Sequence, residues 1–192
     1  MEDMNVISLF YLFFRLSPFI VVCFLTLGSV INGEIRGFVY LVGLCFALVC
    51  TSLVASALPQ DSAEKNLLCK NFSMNGIVNN KMPLGLAILS YSFFYLIYPI
   101  AKYRLEIYNI PILIIFPLLL IGELFWNVNY QCFTPMNCAG TLILSGGLGV
   151  VYSVILDELK MPRIQYINAG SNKEICTKPT KQKFKCVSKN NT

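Results

Sequence analysis

Five stretches of the chain are almost unbroken runs of apolar residues, near 12–31, 37–58, 84–101, 110–127 and 138–156, and nearly all charge lies between or after them. Each run holds roughly 20 residues, about what a helix needs to cross the ~30 Å hydrocarbon core of a bilayer. In lipid every backbone N–H and C=O must be bonded within the spanning element, and the strand alternation of an outer-membrane barrel is missing, so the runs predict α-helices. Asn32-Gly33 and Pro59-Gln60-Asp61 supply turns after the first two runs, and Pro83 and Pro111 sit near helix starts, where a missing N–H costs little. No internal repeat of about 20–50 residues interrupts this order. The expected fold is all-α: a polytopic transmembrane bundle of about five spans over 1–156, followed by a short basic, cysteine-containing soluble tail over 157–192.

Composition removes the alternatives. Of 192 residues 56% are hydrophobic and 13% charged, with mean hydropathy +0.63, against roughly 45–50% and 25% in soluble domains, so a soluble globule is excluded. Histidine is absent, which removes an imidazole base, a Ser-His or Cys-His nucleophile pair, a His metal ligand and the phosphoryl-histidine of lipid-phosphatase chemistry. No catalytic residue, cofactor or metal is expected. The first run is flanked by Glu2 and Asp3, where a signal peptide carries positive charge, so it is expected to remain as an uncleaved helix.

Lysine and arginine set the orientation. With five spans, one side carries three (Lys65, Lys70, Lys81), while the other carries eleven: Arg36, Lys102, Arg104 and eight in the tail. The tail is expected in the cytoplasm and the N-terminus in the lumen or outside. The Asn71-Phe72-Ser73 glycosylation sequon falls on the lumenal side, in agreement.

Two stripes of small residues follow helical spacing: Gly43, Ala47, Thr51 and Ala55 in the second span, and Thr141, Ser145, Gly149 and Ser153 in the fifth. Small residues let backbones approach closely in lipid, which is how bundles gain contact there. Packing of helix 2 on helix 5 is the expectation, with a homodimer face as the alternative.

Two ionisable residues lie within spans, Arg15 and Glu123, at similar depth near the lumenal end. A structural ion pair is the favoured reading, and a proton or ion relay centred on Glu123 the sharper one, since intramembrane charge marks function by default. Trp126, Asn127 and Tyr130 place Glu123 near the aromatic belt.

Eight cysteines divide by place: Cys23, Cys45 and Cys50 in spans, Cys69, Cys132 and Cys138 on the lumenal side, and Cys176 and Cys186 in the tail. No C-x-x-C is present, so a thioredoxin-like or zinc-ribbon site lacks its signature. The span cysteines read as small hydrophobes. One lumenal bridge is a candidate, Cys132 to Cys138 or Cys69 to either; Cys176 and Cys186 could close a hairpin that reducing cytosol disfavours.

The tail holds eight basic and three acidic residues, so it alone carries +5, the net charge of the whole chain. Lys178, Lys181, Lys183 and Lys185 form its densest cluster. Such clusters attract anionic lipid head groups, roughly 1 kcal/mol per residue, or an acidic protein surface. Sequence-specific nucleic-acid binding is not expected.

Phe116-Pro117-Leu118-Leu119-Leu120 running into Glu123-Leu124-Phe125-Trp126-Asn127, then Ser145-Gly146-Gly147-Leu148-Gly149-Val150-Val151-Tyr152-Ser153, and Ile164-Gln165-Tyr166-Ile167-Asn168 ahead of Cys176 and Cys186 together resemble a multi-pass membrane protein of nucleocytoplasmic large DNA viruses, of the phycodnavirus and mimivirus sort. The resemblance spans most of the chain in order. It implies a virion inner-membrane component that anchors minor capsid or neighbouring membrane proteins, with the tail as docking arm, and it carries no catalytic residues over. Cysteine bridging is also easier in that setting, because such viruses encode thiol oxidases. A non-enzymatic structural role is therefore the expectation; the alternatives are a small transporter or enzyme using Glu123, or a protein that remodels host membranes without entering the particle.

Overall fold

The computed structural model describes residues 6–57, 82–159 and 165–167, with side chains from Leu12 onward. These residues form five long helices: α1 (Val6–Ile31), α2 (Arg36–Ala57), α3 (Leu84–Lys102), α4 (Ile110–Asn129) and α5 (Pro135–Glu158), with a 3₁₀ turn at Glu106–Tyr108 between α3 and α4. Among the described residues 85% are helical and no strand occurs. Each long helix is apolar and long enough to cross a bilayer, which suits an integral membrane protein. Large apolar side chains such as Phe24, Ile31, Phe46, Ile121 and Ile143 face outward, a surface that water would penalise and lipid accepts.

The end of the bundle where α1 begins is called here the proximal face and the opposite end the distal face; α1, α3 and α5 run towards the distal face and α2 and α4 return. At the distal reversal between α1 and α2, Gly33 takes φ +66°, the left-handed position that glycine occupies without strain. The Glu34 N–H bonds to the Ser29 carbonyl at 2.9 Å, closing the helix end. Ser29 Oγ donates to the Glu34 carbonyl at 2.6 Å and accepts the Gly37 N–H at 2.8 Å. A Cβ on residue 37 would stand 2.6 Å from the Ser29 Cβ, so the start of α2 lies directly on α1. The later reversals place Arg104 and Gln131 at φ 52°, where the sequence offers no glycine to signal the turn.

The arrangement centres on α3. Of its spanning window 61% is buried, against 22–33% for the other four, and it touches all of them. Its longest seam is with α5, which runs parallel to it. Ser145 Oγ donates to the Ala87 carbonyl at 2.6 Å, Ser90 Oγ donates to the Leu142 carbonyl at 2.8 Å, and Lys102 meets Asp157 at the distal end. Hydrogen bonds between helices in lipid contribute about 0.6 kcal/mol each on average, so the closeness that small residues permit matters as much as the bonds themselves.

That seam changes the expected use of the small-residue stripes. Thr141, Ser145, Gly149 and Ser153 are all buried, but Ser145 and Gly149 lie on α3 rather than α2. Gly43, Ala47, Thr51 and Ala55 are buried as well, with Gly43 under the Tyr91 and Tyr152 rings. Helices α2 and α5 do meet, through Tyr152, whose hydroxyl donates to the Val39 carbonyl at 3.0 Å. The Tyr152 ring fills the space that direct contact of the two stripes would need.

Residues beyond α5 also contribute to the bundle. The helix runs through Glu158, so Asp157 and Glu158 belong to it and not to the tail expected from residue 157. Further on, Gln165 and Ile167 are buried. Ile167 joins the core cluster that contains Leu25, Leu44 and Leu156.

Candidate functional site

Polar side chains gather at three levels of the bundle. Nearest the proximal face, Arg15 of α1 and Glu123 of α4 approach to 3.4 Å between Nη1 and Oε1. The two ends of this pair have different surroundings: the Glu123 side chain is 2% exposed and that of Arg15 24%. Room for the carboxylate comes from Gly85 of α3, where a Cβ would stand 2.6 Å from Glu123 Oε1. One turn after Glu123, Asn127 Nδ2 donates to its backbone carbonyl at 2.8 Å. Phe14, Arg15, Glu123, Trp126, Asn127 and Cys132 line a cavity of about 10 Å³, room for roughly one water. Trp126 stacks on Tyr130 with centroids 4.8 Å apart, the aromatic pairing expected at a membrane interface.

At mid-depth lies a tyrosine cluster. Tyr40, Tyr91 and Tyr95 are almost fully buried, with ring centroids 5.6–5.9 Å apart. Tyr40 shares a hydrogen bond of 2.6 Å with Ser92 Oγ, whereas the buried Tyr91 hydroxyl has no hydrogen-bond partner among the described residues. Tyr95 belongs with them in the same core cluster. The available signal was the run Ser90-Tyr91-Ser92 with Tyr95 one turn on, because in lipid the polar residues of a span turn inward.

On the distal face, Lys102 and the Tyr103 hydroxyl both bond to the Asp157 carboxylate. Lys102 also reaches the Tyr98 hydroxyl at 3.4 Å. The carboxylate that accepts the Tyr103 proton pushes that phenol above its ordinary pKa. Beside this tie, Gln165 Nε2 donates to Ser153 Oγ at 3.2 Å, and the Tyr166 hydroxyl comes within 3.9 Å of where a Cβ on Gly28 would lie. The segment 165–167 thus reaches from α5 towards α1.

Arg15 and Glu123 are brought together as an ion pair. The pairing of Cys132 with Cys138 is not formed: Cys138 is a free, buried thiol. It sits in the first turn of α5 among Leu86, Leu89, Leu119 and Leu120, serving as a small apolar filler. Cys23, Cys45 and Cys50 are also free, with Cys23 and Cys45 exposed on the outer surface. Cys69, Asn71, Cys176, Cys186 and the lysines at 178, 181, 183 and 185 lie outside the described residues. Among the described residues no cluster of metal-ligating side chains occurs.

The chain matches no family model, no curated protein and no solved structure.

Proposed function

We propose that the protein is a non-enzymatic membrane anchor that presents its basic C-terminal tail from a fixed point on the distal face. The observation that carries this reading is the root of the tail. Gln165 is tied to Ser153 and Ile167 is packed into the core, so the chain leaves the bundle from a seated position. A tethered charge cluster has a high effective concentration at whatever surface lies beneath it. The tail's +5 suits an acidic protein surface or anionic head groups. Orientation with this face in the cytoplasm follows from the excess of lysine and arginine there. The resemblance to membrane proteins of large DNA viruses extends the reading to a virion inner membrane, with minor capsid or neighbouring membrane proteins as partners.

Quantitative mass spectrometry of purified particles tests the reading. A fixed, substantial ratio to the major capsid protein is expected. Absence from particles, with abundance in infected-cell membranes, overturns the virion role and leaves a protein acting on host membranes.

A further inference from the structure

The Arg15 guanidinium has capacity that Glu123 leaves unused. It carries five N–H donors in a planar fork, and among the described residues it makes one hydrogen bond, at 3.4 Å through one terminal nitrogen. Its side chain is 24% exposed and none of its nitrogens is among the buried atoms without a partner, so the remaining donors are accessible beside α4. Bare donors against hydrocarbon are costly, and a long cationic side chain near a span end reaches for the interface instead. Arg15 stands at the level where α3 begins, since its partner Glu123 lies against Gly85, the second residue of that helix. On α4 the Trp126–Tyr130 stack lies beyond Glu123 towards the same face, marking the level at which phospholipid phosphates begin.

From this geometry we propose that Arg15 holds the phosphodiester of one membrane phospholipid in the proximal leaflet. Two non-bridging phosphate oxygens match the guanidinium fork, giving paired charge-assisted hydrogen bonds. Exposed Leu12, Phe13, Leu16 and Phe19 of α1 form an apolar strip along which the acyl chains lie. Charge selects the lipid class. Glu123 already neutralises Arg15, so an anionic lipid would add an unbalanced charge, whereas a zwitterionic head group brings its own cation. Phosphatidylcholine or phosphatidylethanolamine is the expected occupant. The site is independent of the distal tail.

Native mass spectrometry of the full chain, released from nanodiscs containing equal phosphatidylcholine and phosphatidylglycerol, tests this. Wild type is expected to retain one phosphatidylcholine. The Glu123→Gln variant keeps the guanidinium but leaves its charge unbalanced, so its retained lipid is expected to shift from phosphatidylcholine towards phosphatidylglycerol. The double variant Arg15→Gln, Glu123→Gln, whose neutral side chains avoid a stranded charge, is expected to retain at least tenfold less. Equal retention by the double variant, no retained lipid on wild type, preferential retention of phosphatidylglycerol by wild type, or an unchanged lipid preference in Glu123→Gln each overturns the proposal. A control with inorganic phosphate added to delipidated protein separates a lipid from a free anion: stabilisation by phosphate alone, matching that by lipid, also overturns it.

Discussion

Gly149 of α5 lies flat against the backbone of α3 at Tyr91, so that a Cβ on residue 149 would stand 2.6 Å from the Tyr91 carbonyl oxygen. The neighbour is backbone and has no rotamer by which to withdraw. Gly149→Ala is therefore expected to destabilise the protein by about 1–3 kcal/mol, the range for overpacking a closed contact, and Gly149→Leu by more. Gly147, two residues earlier on the open side of the same helix, has nothing within 4 Å of a built Cβ. Gly147→Ala should be neutral or stabilising by about 0.5–1 kcal/mol, since alanine is the better helix former. Thermal melting of both variants in detergent checks the pair; equal effects would remove the close seam between α3 and α5.

The tyrosine core gives a second contrast. The Tyr91 hydroxyl is buried without a partner among the described residues, while that of Tyr40 is bonded to Ser92. Removing an unsatisfied buried hydroxyl relieves a desolvation cost of about 1–3 kcal/mol, whereas removing the Tyr40 hydroxyl forfeits a buried bond worth about 0.5–1.5 kcal/mol, Ser92 keeping its bond to the Ile88 carbonyl. Tyr91→Phe should raise the melting temperature and Tyr40→Phe should lower it. The opposite order would mean that the Tyr91 hydroxyl has a partner, such as a bound water.

Legibility differed between levels of structure. The five spans were readable because burial in lipid imposes one rule on each: a run near 84–101 becomes Leu84–Lys102, and one near 138–156 becomes Pro135–Glu158. Which helix lies at the centre was harder to read, because the usual inference from hydrophobicity inverts in a membrane. α3 is the least hydrophobic of the five and the most buried, since lipid accepts Leu and Ile while Ser90, Tyr91 and Ser92 turn inward. The meeting of Arg15 and Glu123 was readable from shared depth. The tie of Lys102 to Asp157 was hidden, because it depends on α3 and α5 running side by side in parallel, and no local pattern encodes that neighbour relation. The seating of Gln165 and Ile167 was hidden for the same reason.

The unequal exposure of Arg15 and Glu123 predicts unequal mutational costs. Truncating Arg15 to Ala leaves a carboxylate that is 2% exposed without its counter-ion; breaking a buried pair in this way costs about 3–5 kcal/mol. Glu123→Gln leaves a guanidinium that can still reach the interface, and should cost clearly less. Exchanging the charges, Arg15→Glu with Glu123→Arg, should recover part of what either reversal alone destroys. Expression and melting temperature across the four proteins decide the matter; a double reversal no better than the singles would remove the pair as a structural element.

The clasp at the root of the tail predicts coupling between two residues twelve apart in sequence. Gln165 donates to Ser153 Oγ at 3.2 Å and to the Ser153 carbonyl at 3.5 Å in a buried setting, so Ser153→Ala leaves the amide only the longer bond and Gln165→Ala removes both. Each single variant should cost about 0.5–1.5 kcal/mol for its lost hydrogen bond, and the double variant should cost less than the sum, with a coupling of about 0.5–3 kcal/mol. The same variants should speed proteolysis of the tail in intact membranes, because the chain then departs from a loosened seat on the distal face. Strict additivity with unchanged proteolysis would mean that 165–167 does not hold the tail, and the anchoring role would lose the contact on which it rests.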